Sequence, residues 1–309
     1  MSTRYLLAGL LAGAAASPFA NIESRTLPFG SLIYSCTVPN TVALTFDDGP
    51  FDYTEHVLDL FDQYDAKATF FLNGHNWGYM TDRPDTVVRM INEGHQVGSH
   101  TWSHPDLALL TPEQVTDQMI ELEHAFIEVI GKIPTYMRPP FFSYNSETLR
   151  VLGDLGYHVI HANIDTLDWS FQDVCKINTS IDLFVEGITN GGSIVLAHDV
   201  HALTAYTLVP AMLEAVKLRG LRAVTVGECL GDPQANWYRD SRDGTTPPGT
   251  GEPQPPTGGV HPDGICGGPN KYVCGVEGYP CCSAYGYCGF SIDHCGAGCN
   301  PEFGTCGFS

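Results

Sequence analysis

Basic residues are scarce in this chain, which carries 15 Lys and Arg against 35 Asp and Glu, a formal net charge of −20 over 309 residues. So acidic a surface repels phosphate backbones and anionic lipid, which argues against nucleic acid and membrane as partners. A neutral or cationic partner suits it better. Long apolar runs are missing too. After the first 16 residues nothing approaches the roughly 20 consecutive apolar residues that cross a bilayer, and no hydrophobic tail of the anchor-signal kind stands at the C-terminus.

The apolar stretch at the start has the pattern of a secretory signal over residues 1–16. Arg4 supplies the positive start, Tyr5 to Ala15 the apolar run, and Ala14-Ala15-Ala16 the small-residue cleavage site, with Ala20 a second option. The expectation is a secreted monomer, extracellular or associated with a cell wall. Cysteine is plentiful, which fits that route. Eight of the 11 cysteines fall between Cys266 and Cys306. Cys36 and Cys229 bracket the larger part of the chain, so a bridge between its first and last segments is expected, leaving Cys175 unpaired. Asn178-Thr179-Ser180 is a glycosylation sequon.

Alternating signals for strand and helix fill the region from 36 to 232. Strands are expected at Thr41–Leu44, Lys67–Asn73, Gln96–His100, Thr135–Pro139, Tyr157–Ile164, Ser193–Ala197 and Arg222–Val226. Helical patterns lie between most of them. Thr54 is a candidate N-cap for the first helix, and Thr111-Pro112-Glu113-Gln114 opens the clearest one with a capping box and Pro at N1. Seven strands alternating with helices imply an α/β domain with a parallel sheet or barrel, whose strand ends converge on one face. Residues 17–35 precede it. Residues 233–262 read as a linker, because Pro, Gly and Thr without apolar periodicity cannot build a core. A cysteine-rich module over 263–309 follows, too small for an ordinary core. The adjacent pair Cys281-Cys282 and the lack of paired Cys-x-x-Cys favour disulfides there over zinc.

Chemistry collects where strands end. Thr45-Phe46-Asp47-Asp48-Gly49-Pro50 places two carboxylates at a strand exit. Adjacent strand residues point opposite ways, so one could bind a cation while the other stays free as a base. His100-Thr101-Trp102-Ser103-His104 sets two imidazoles four apart, on one face if the segment turns helically; with Asp48 they make a two-His, one-carboxylate metal set. Arg138-Pro139-Pro140-Phe141 offers a guanidinium able to hold a carboxylate in a bidentate pair. Asp165-Thr166-Leu167-Asp168-Trp169 and Leu196-Ala197-His198-Asp199 follow two further strands. If Asp168 reaches His198, it orients the ring and raises its pKa, making a protonated acid available.

These five motifs, in this order, resemble those of the NodB-homology polysaccharide deacetylases (carbohydrate esterase family 4) over about residues 38–230. The resemblance implies a distorted (β/α)7 barrel and metal-dependent removal of acetyl groups from polysaccharides. It makes Asp47 the general base and Asp48, His100 and His104 the ligands of one divalent ion, Zn2+ or alternatively Co2+. Arg138 would steady Asp47, Asp168 would tune the general acid His198, and Trp169 and Leu196 would line the acetyl pocket. Phe141 stands where the family usually has Tyr; its backbone N–H would stabilise the oxyanion. The C-terminal module resembles hevein-type chitin-binding modules (carbohydrate-binding module family 18). That implies bridges 266–282, 274–288, 281–295 and 299–306, and sugar contacts from Ser283, Tyr285 and Tyr287, with His294 where a third aromatic is usual. The expected function is removal of N-acetyl groups from chitin or chitooligosaccharides. The alternatives are deacetylation of peptidoglycan or acetylxylan, or a non-catalytic chitin-coating lectin.

Overall fold

The run Thr41-Val42-Ala43-Leu44-Thr45-Phe46-Asp47 is buried along its whole length, as a strand covered on both faces must be. Its side chains alternate. Val42, Leu44 and Phe46 join the larger apolar cluster under the helices, whereas Ala43 joins a second cluster that includes Phe71, Tyr136 and Leu196. The same two-residue period carries Thr45 and Asp47 to Ala43's face. The computed structural model describes residues 27–242 and, beyond them, scattered residues between Cys266 and Cys306 that include all eight cysteines of that stretch.

Eleven strands occur among residues 27–242: β1 Leu32–Ile33, β2 Thr41–Asp47, β3 Thr69–Leu72, β4 Gln96–Ser99, β5 Ile133–Pro134, β6 Tyr136–Met137, β7 His158–Ile160, β8 Ile164–Asp165, β9 Ile194–His198, β10 Arg222–Ala223 and β11 Tyr238–Arg239. Nine form one sheet in the order β1-β7-β6-β4-β3-β2-β9-β8, with β10 on β2, while β5 and β11 pair separately. Neighbours in the large sheet run parallel.

β7 and β8 lie far apart in that order yet are joined by only residues 161–163, so the sheet curls until its ends meet. The expected single strand Tyr157–Ile164 breaks there. His161 N–H donates to the Ile33 carbonyl at one end, and Asn163 N–H to the Ile194 carbonyl at the other. The result is a curled parallel sheet with helices outside it, a distorted (β/α) barrel. The expected strand Arg222–Val226 is also shorter, because Thr225 accepts from Glu228 N–H and starts a helix instead.

Seven α-helices occur among residues 27–242: α1 Thr54–Gln63, α2 Pro84–Asn92, α3 Pro112–Ile130, α4 Ser146–Asp154, α5 Ile177–Thr189, α6 Val209–Leu218 and α7 Val226–Leu230. The Thr111–Gln114 capping box is formed, and Gly131 ends α3 in the left-handed conformation. Thr54 does not cap α1; Tyr53 holds that position without a side-chain bond, and the Thr54 hydroxyl turns to the buried Asp199. Cys36 is bridged to Cys229, tying the first segment to α7, and Cys175 is free and exposed. A bridge closing so long a loop contributes about 2–5 kcal/mol.

Residues 1–247 and 248–309 form two units. In the second, the bridges are Cys266–Cys282, Cys274–Cys288, Cys281–Cys295 and Cys299–Cys306, and β12 (Cys281–Cys282) pairs antiparallel with β13 (Cys288–Gly289). The expected linker 233–262 starts too early: Tyr238–Arg239 pairs with Ile133–Pro134 and Trp237 is buried in the second apolar cluster, because this stretch carries apolar side chains that the Pro/Gly/Thr run after it lacks. The signal segment, residues 243–262, and Ser283, Tyr285, Tyr287 and His294 lie outside the described residues.

Candidate active site

β2 delivers both carboxylates to the C-terminal rim of the barrel, but by different routes. Asp47 is the last strand residue and is 3 % exposed. Asp48 leaves the strand with φ 77°. The Asp48 Oδ1 atom lies 3.3 Å from His104 Nε2 and 3.7 Å from His100 Nε2. These three ligand atoms all fall within 4.8 Å of one another.

Two observations test whether the group fits a cation. Asp48 Oδ1 is buried without a hydrogen-bond donor, a costly arrangement unless something positive meets it. His100 Nδ1 lies 2.7 Å from the Arg138 carbonyl, which can only accept, so the proton sits on Nδ1 and the Nε2 lone pair faces Asp48. The donor set of one carboxylate and two imidazoles suits zinc and leaves positions open. Burial, with His104 nearby, lowers the pKa of His100 to about 3, which keeps the ring neutral as a ligand must be.

The imidazoles are not presented by a helix. Residues 100–104 form a loop in which Thr101 and His104 take φ 72° and 56°. The Asn73 amide clamps it, donating to the His100 and Thr101 carbonyls at 2.5 and 2.9 Å. His104 N–H also donates to Thr101 Oγ1. Left-handed backbone brings the rings together where a helical turn was expected.

Arg138 is wholly buried behind Asp47. Its Nη1 donates to Asp47 Oδ1 at 2.8 Å and to Thr45 Oγ1 at 2.6 Å, while Nε and Nη2 donate to the Ile160 and His161 carbonyls. The expected bidentate grip is therefore replaced by one contact to the carboxylate and three elsewhere. Burial pushes the Asp47 carboxyl up, and Arg138 and His198 pull it part of the way back.

His198 ends β9 in register with Asp47 on β2. Asp168, in a single helical turn after β8, receives the His198 ring Nδ1–H at 2.8 Å and its backbone N–H at 2.7 Å. Thr204 Oγ1 donates to the same carboxylate at 2.7 Å. Burial alone would lower the pKa of His198; the charges of Asp168, Asp48 and Asp47 outweigh it and raise it to about 9. Phe141 takes φ 57°, is 69 % exposed and sets its ring against His104. Trp169 is also exposed, whereas Leu196 is buried between β2 and β8. Asn178 is exposed in the first turn of α5.

The sequence motifs gave no role in the site to Thr45, Thr54, Thr204 or Asp199. Thr45 was within reach, since it stands two residues before Asp47 on one strand and so shares its face. Thr204 carries no such signal, because it lies in a π-helical turn, Thr204–Leu208, that no local periodicity announces.

A curled α/β barrel whose rim gathers a cation-ligand triad, a buried carboxylate and a protonated imidazole has the make-up of a hydrolase. The family model for polysaccharide deacetylase matches residues 34–160. A chitin deacetylase from Pestalotiopsis sp is 53 % identical over 302 residues, 97 % of this chain and 98 % of that one. A probable peptidoglycan-N-acetylglucosamine deacetylase from Arthroderma benhamiae is 49 % identical over 217 residues, 70 % of this chain and 50 % of that one. The solved structure of the chitin deacetylase from Colletotrichum lindemuthianum superposes with a TM-score of 0.68 at 43 % identity, covering 70 % of this chain and 98 % of that one. The chain belongs to the polysaccharide deacetylase family.

Proposed function

We propose that this protein is a secreted, monomeric chitin deacetylase that removes N-acetyl groups from chitin or chitooligosaccharides, leaving free amines and acetate. The observation that carries the reading is the pairing of Asp47 and His198 on adjacent strand ends beside the triad. One is held by Arg138, the other by Asp168. Asp48, His100 and His104 would hold one divalent ion, zinc by donor type with cobalt a workable substitute. Such an ion acidifies water and polarises a carbonyl.

The chain's own groups do the rest. Asp47 takes the proton of the attacking water as the C–O bond forms. The Phe141 N–H donates to the oxygen that becomes negative. His198 gives its proton to the nitrogen as the C–N bond breaks, which turns a poor leaving group into a neutral amine. Trp169 and Leu196 enclose the acetyl methyl. The module over 263–309, through Ser283, Tyr285, Tyr287 and His294, would hold the chain on chitin and raise the local substrate concentration. Similarity to the Pestalotiopsis protein along 97 % of the chain supports the whole arrangement. A second reading, deacetylation of peptidoglycan N-acetylglucosamine, is favoured by the Arthroderma relative.

Mass spectrometry of products from defined N-acetylglucosamine oligomers, with and without chelator, tests the proposal. Acetate loss that chelator abolishes and zinc restores supports it. Acetate release from peptidoglycan alone selects the second reading, and release from neither leaves a sugar-binding protein.

A further inference from the structure

The turn Pro139–Ser143, which carries the Phe141 N–H assigned above to the oxyanion, has an unfavourable backbone shape. Phe141 and Phe142 follow one another at φ 57° and 51°. A residue with a Cβ adopts left-handed backbone at a cost and keeps it only where its surroundings hold it. Pro139 and Pro140 have no N–H, and those of Phe142 and Ser143 are bound within the turn, to the Pro139 and Pro140 carbonyls at 3.1 and 2.9 Å. Rings supply part of the hold. The Phe141 ring meets that of His104 at 4.5 Å between centroids, and the Phe142 ring stacks on His161 at 3.8 Å. The rest is polar, because the Ser143 hydroxyl donates to Asp106 Oδ1.

That bond joins two halves of the site. Asp106 stands two residues after His104, and Ser143 two residues after Phe141. Asp106 Oδ1 also accepts the Ala108 N–H at 3.0 Å, which fixes the carboxylate to its own chain. Further out, Asn145 Nδ2 donates to the Ala108 carbonyl at 3.1 Å and Thr148 Oγ1 to the Leu107 carbonyl at 3.3 Å. These two bonds hold the start of α4 to the same stretch without Ser143. An oxyanion donor speeds a reaction only when it meets the oxygen as the charge arises, so its spacing from the triad matters as much as its presence. We propose that Ser143 is a positioning residue for deacetylation, whose hydroxyl, through Asp106, holds the Phe141 N–H at a fixed spacing from Asp48, His100 and His104. This rests on the reading of the site as a deacetylase.

The test measures acetate release from the N-acetylglucosamine tetramer with zinc present, with kcat taken per folded molecule. Ser143→Ala is expected to lower kcat by roughly five- to thirtyfold, short of the loss of about a hundredfold or more that follows removal of a whole oxyanion donor, while KM stays within about twofold. Asp47 and His198 keep their places, so the pH–rate profile keeps its shape. Zinc retention and the thermal midpoint stay at wild-type values, because Asn145 and Thr148 still join the two stretches. Ser143→Thr keeps the hydroxyl and restores most of kcat. Asp106→Asn keeps an acceptor and loses less than Asp106→Ala. In the Asp106→Ala background Ser143→Ala costs nothing further, since the bond is already gone. Wild-type kcat in Ser143→Ala, a loss carried by KM, a loss that Ser143→Thr does not relieve, or losses that multiply in the double variant would overturn the positioning role. A wild-type protein that releases no acetate would instead overturn the deacetylase reading, and the role of Ser143 with it.

Discussion

Both oxygens of Asp168 are committed to His198, Oδ1 to the ring Nδ1–H at 2.8 Å and Oδ2 to the backbone N–H of the same residue at 2.7 Å. Asp168 is wholly buried. Burial would raise its carboxyl, but the His198 charge and the bonds from His198 and Thr204 hold it below the usual range. The pair therefore carries its proton on the ring, with Nε2–H free to donate.

The alkaline limb of the pH–rate profile follows. A free imidazole titrates near about 6.5, and in the fold His198 is raised to about 9. Its stabilising share is fully present below the free value and is lost as pH rises through about 9. The same titration removes the proton donor. Asp168→Asn takes away the main attraction, so the alkaline limb of kcat moves to lower pH and the deficit at pH 8 exceeds that at pH 6. A profile of unchanged shape in Asp168→Asn would remove His198 from the acid role.

Metal binding and turnover separate between neighbouring carboxylates. Asp48 Oδ1 approaches both imidazoles, whereas Asp47 gives one oxygen to Arg138 and brings the other within 3.7 Å of His100 alone. Asp47→Asn is expected to keep its zinc and lose turnover by roughly a hundredfold or more, the scale of general-base catalysis. His104→Ala loses both. Zinc content by elemental analysis beside acetate release decides it, and equal metal loss in the two variants would show that Asp47 is itself a ligand.

Much of this site is visible in the chain because it is built at strand ends. The period of two along Thr41–Asp47 tells which side chains face in, and Gly49-Pro50 tells where the strand stops. The capping box at Thr111 and the bridge between Cys36 and Cys229 were legible for the same reason, since local chemistry and flanking position dictate them. Three features were not. The loop carrying His100 and His104 depends on left-handed residues that are not glycine, held by Asn73 from the loop that follows β3. The break at 161–163 depends on the curl of the sheet, a property of the whole barrel. The Thr54–Asp199 bond joins residues 145 apart and replaces a cap that local pattern favoured.

Gly49 exposes the consequence of that last contact. A Cβ built there would stand 2.7 Å from Asp199 Oδ1 and 2.9 Å from Oδ2, too close for either to remain in place. Burial, partly offset by the Thr54 bond and reinforced by the Asp48 charge, raises the Asp199 carboxyl to about 7. Gly49→Ala is expected to displace the turn bearing Asp48 and weaken zinc retention. Combining it with Asp199→Ala makes room, so the double variant holds zinc better than Gly49→Ala alone. Additive losses in that cycle, followed by zinc competition against a chromophoric chelator, would mean the two residues do not share a constraint.

Arg138 carries the largest stability prediction. Its guanidinium is wholly buried, lies over the Phe71 ring with its central carbon 4.4 Å from the centroid, and is the partner of Asp47. Arg138→Met keeps the bulk but leaves the Asp47 carboxylate buried and unpaired, a change that costs about 3–5 kcal/mol when the charge stays. The carboxyl is already raised by burial, and without the guanidinium it rises further. A carboxyl whose folded pKa is raised favours the fold when protonated, so the deficit of Arg138→Met is smallest in acid and grows as pH rises toward neutrality. Denaturant midpoints at pH 5 and 7.5 measure it. Adding Asp47→Asn removes the charge and should recover much of the loss at pH 7.5. A deficit equal at both pH values, unrelieved by the second substitution, would place the cost in packing against Phe71 instead of in the pair.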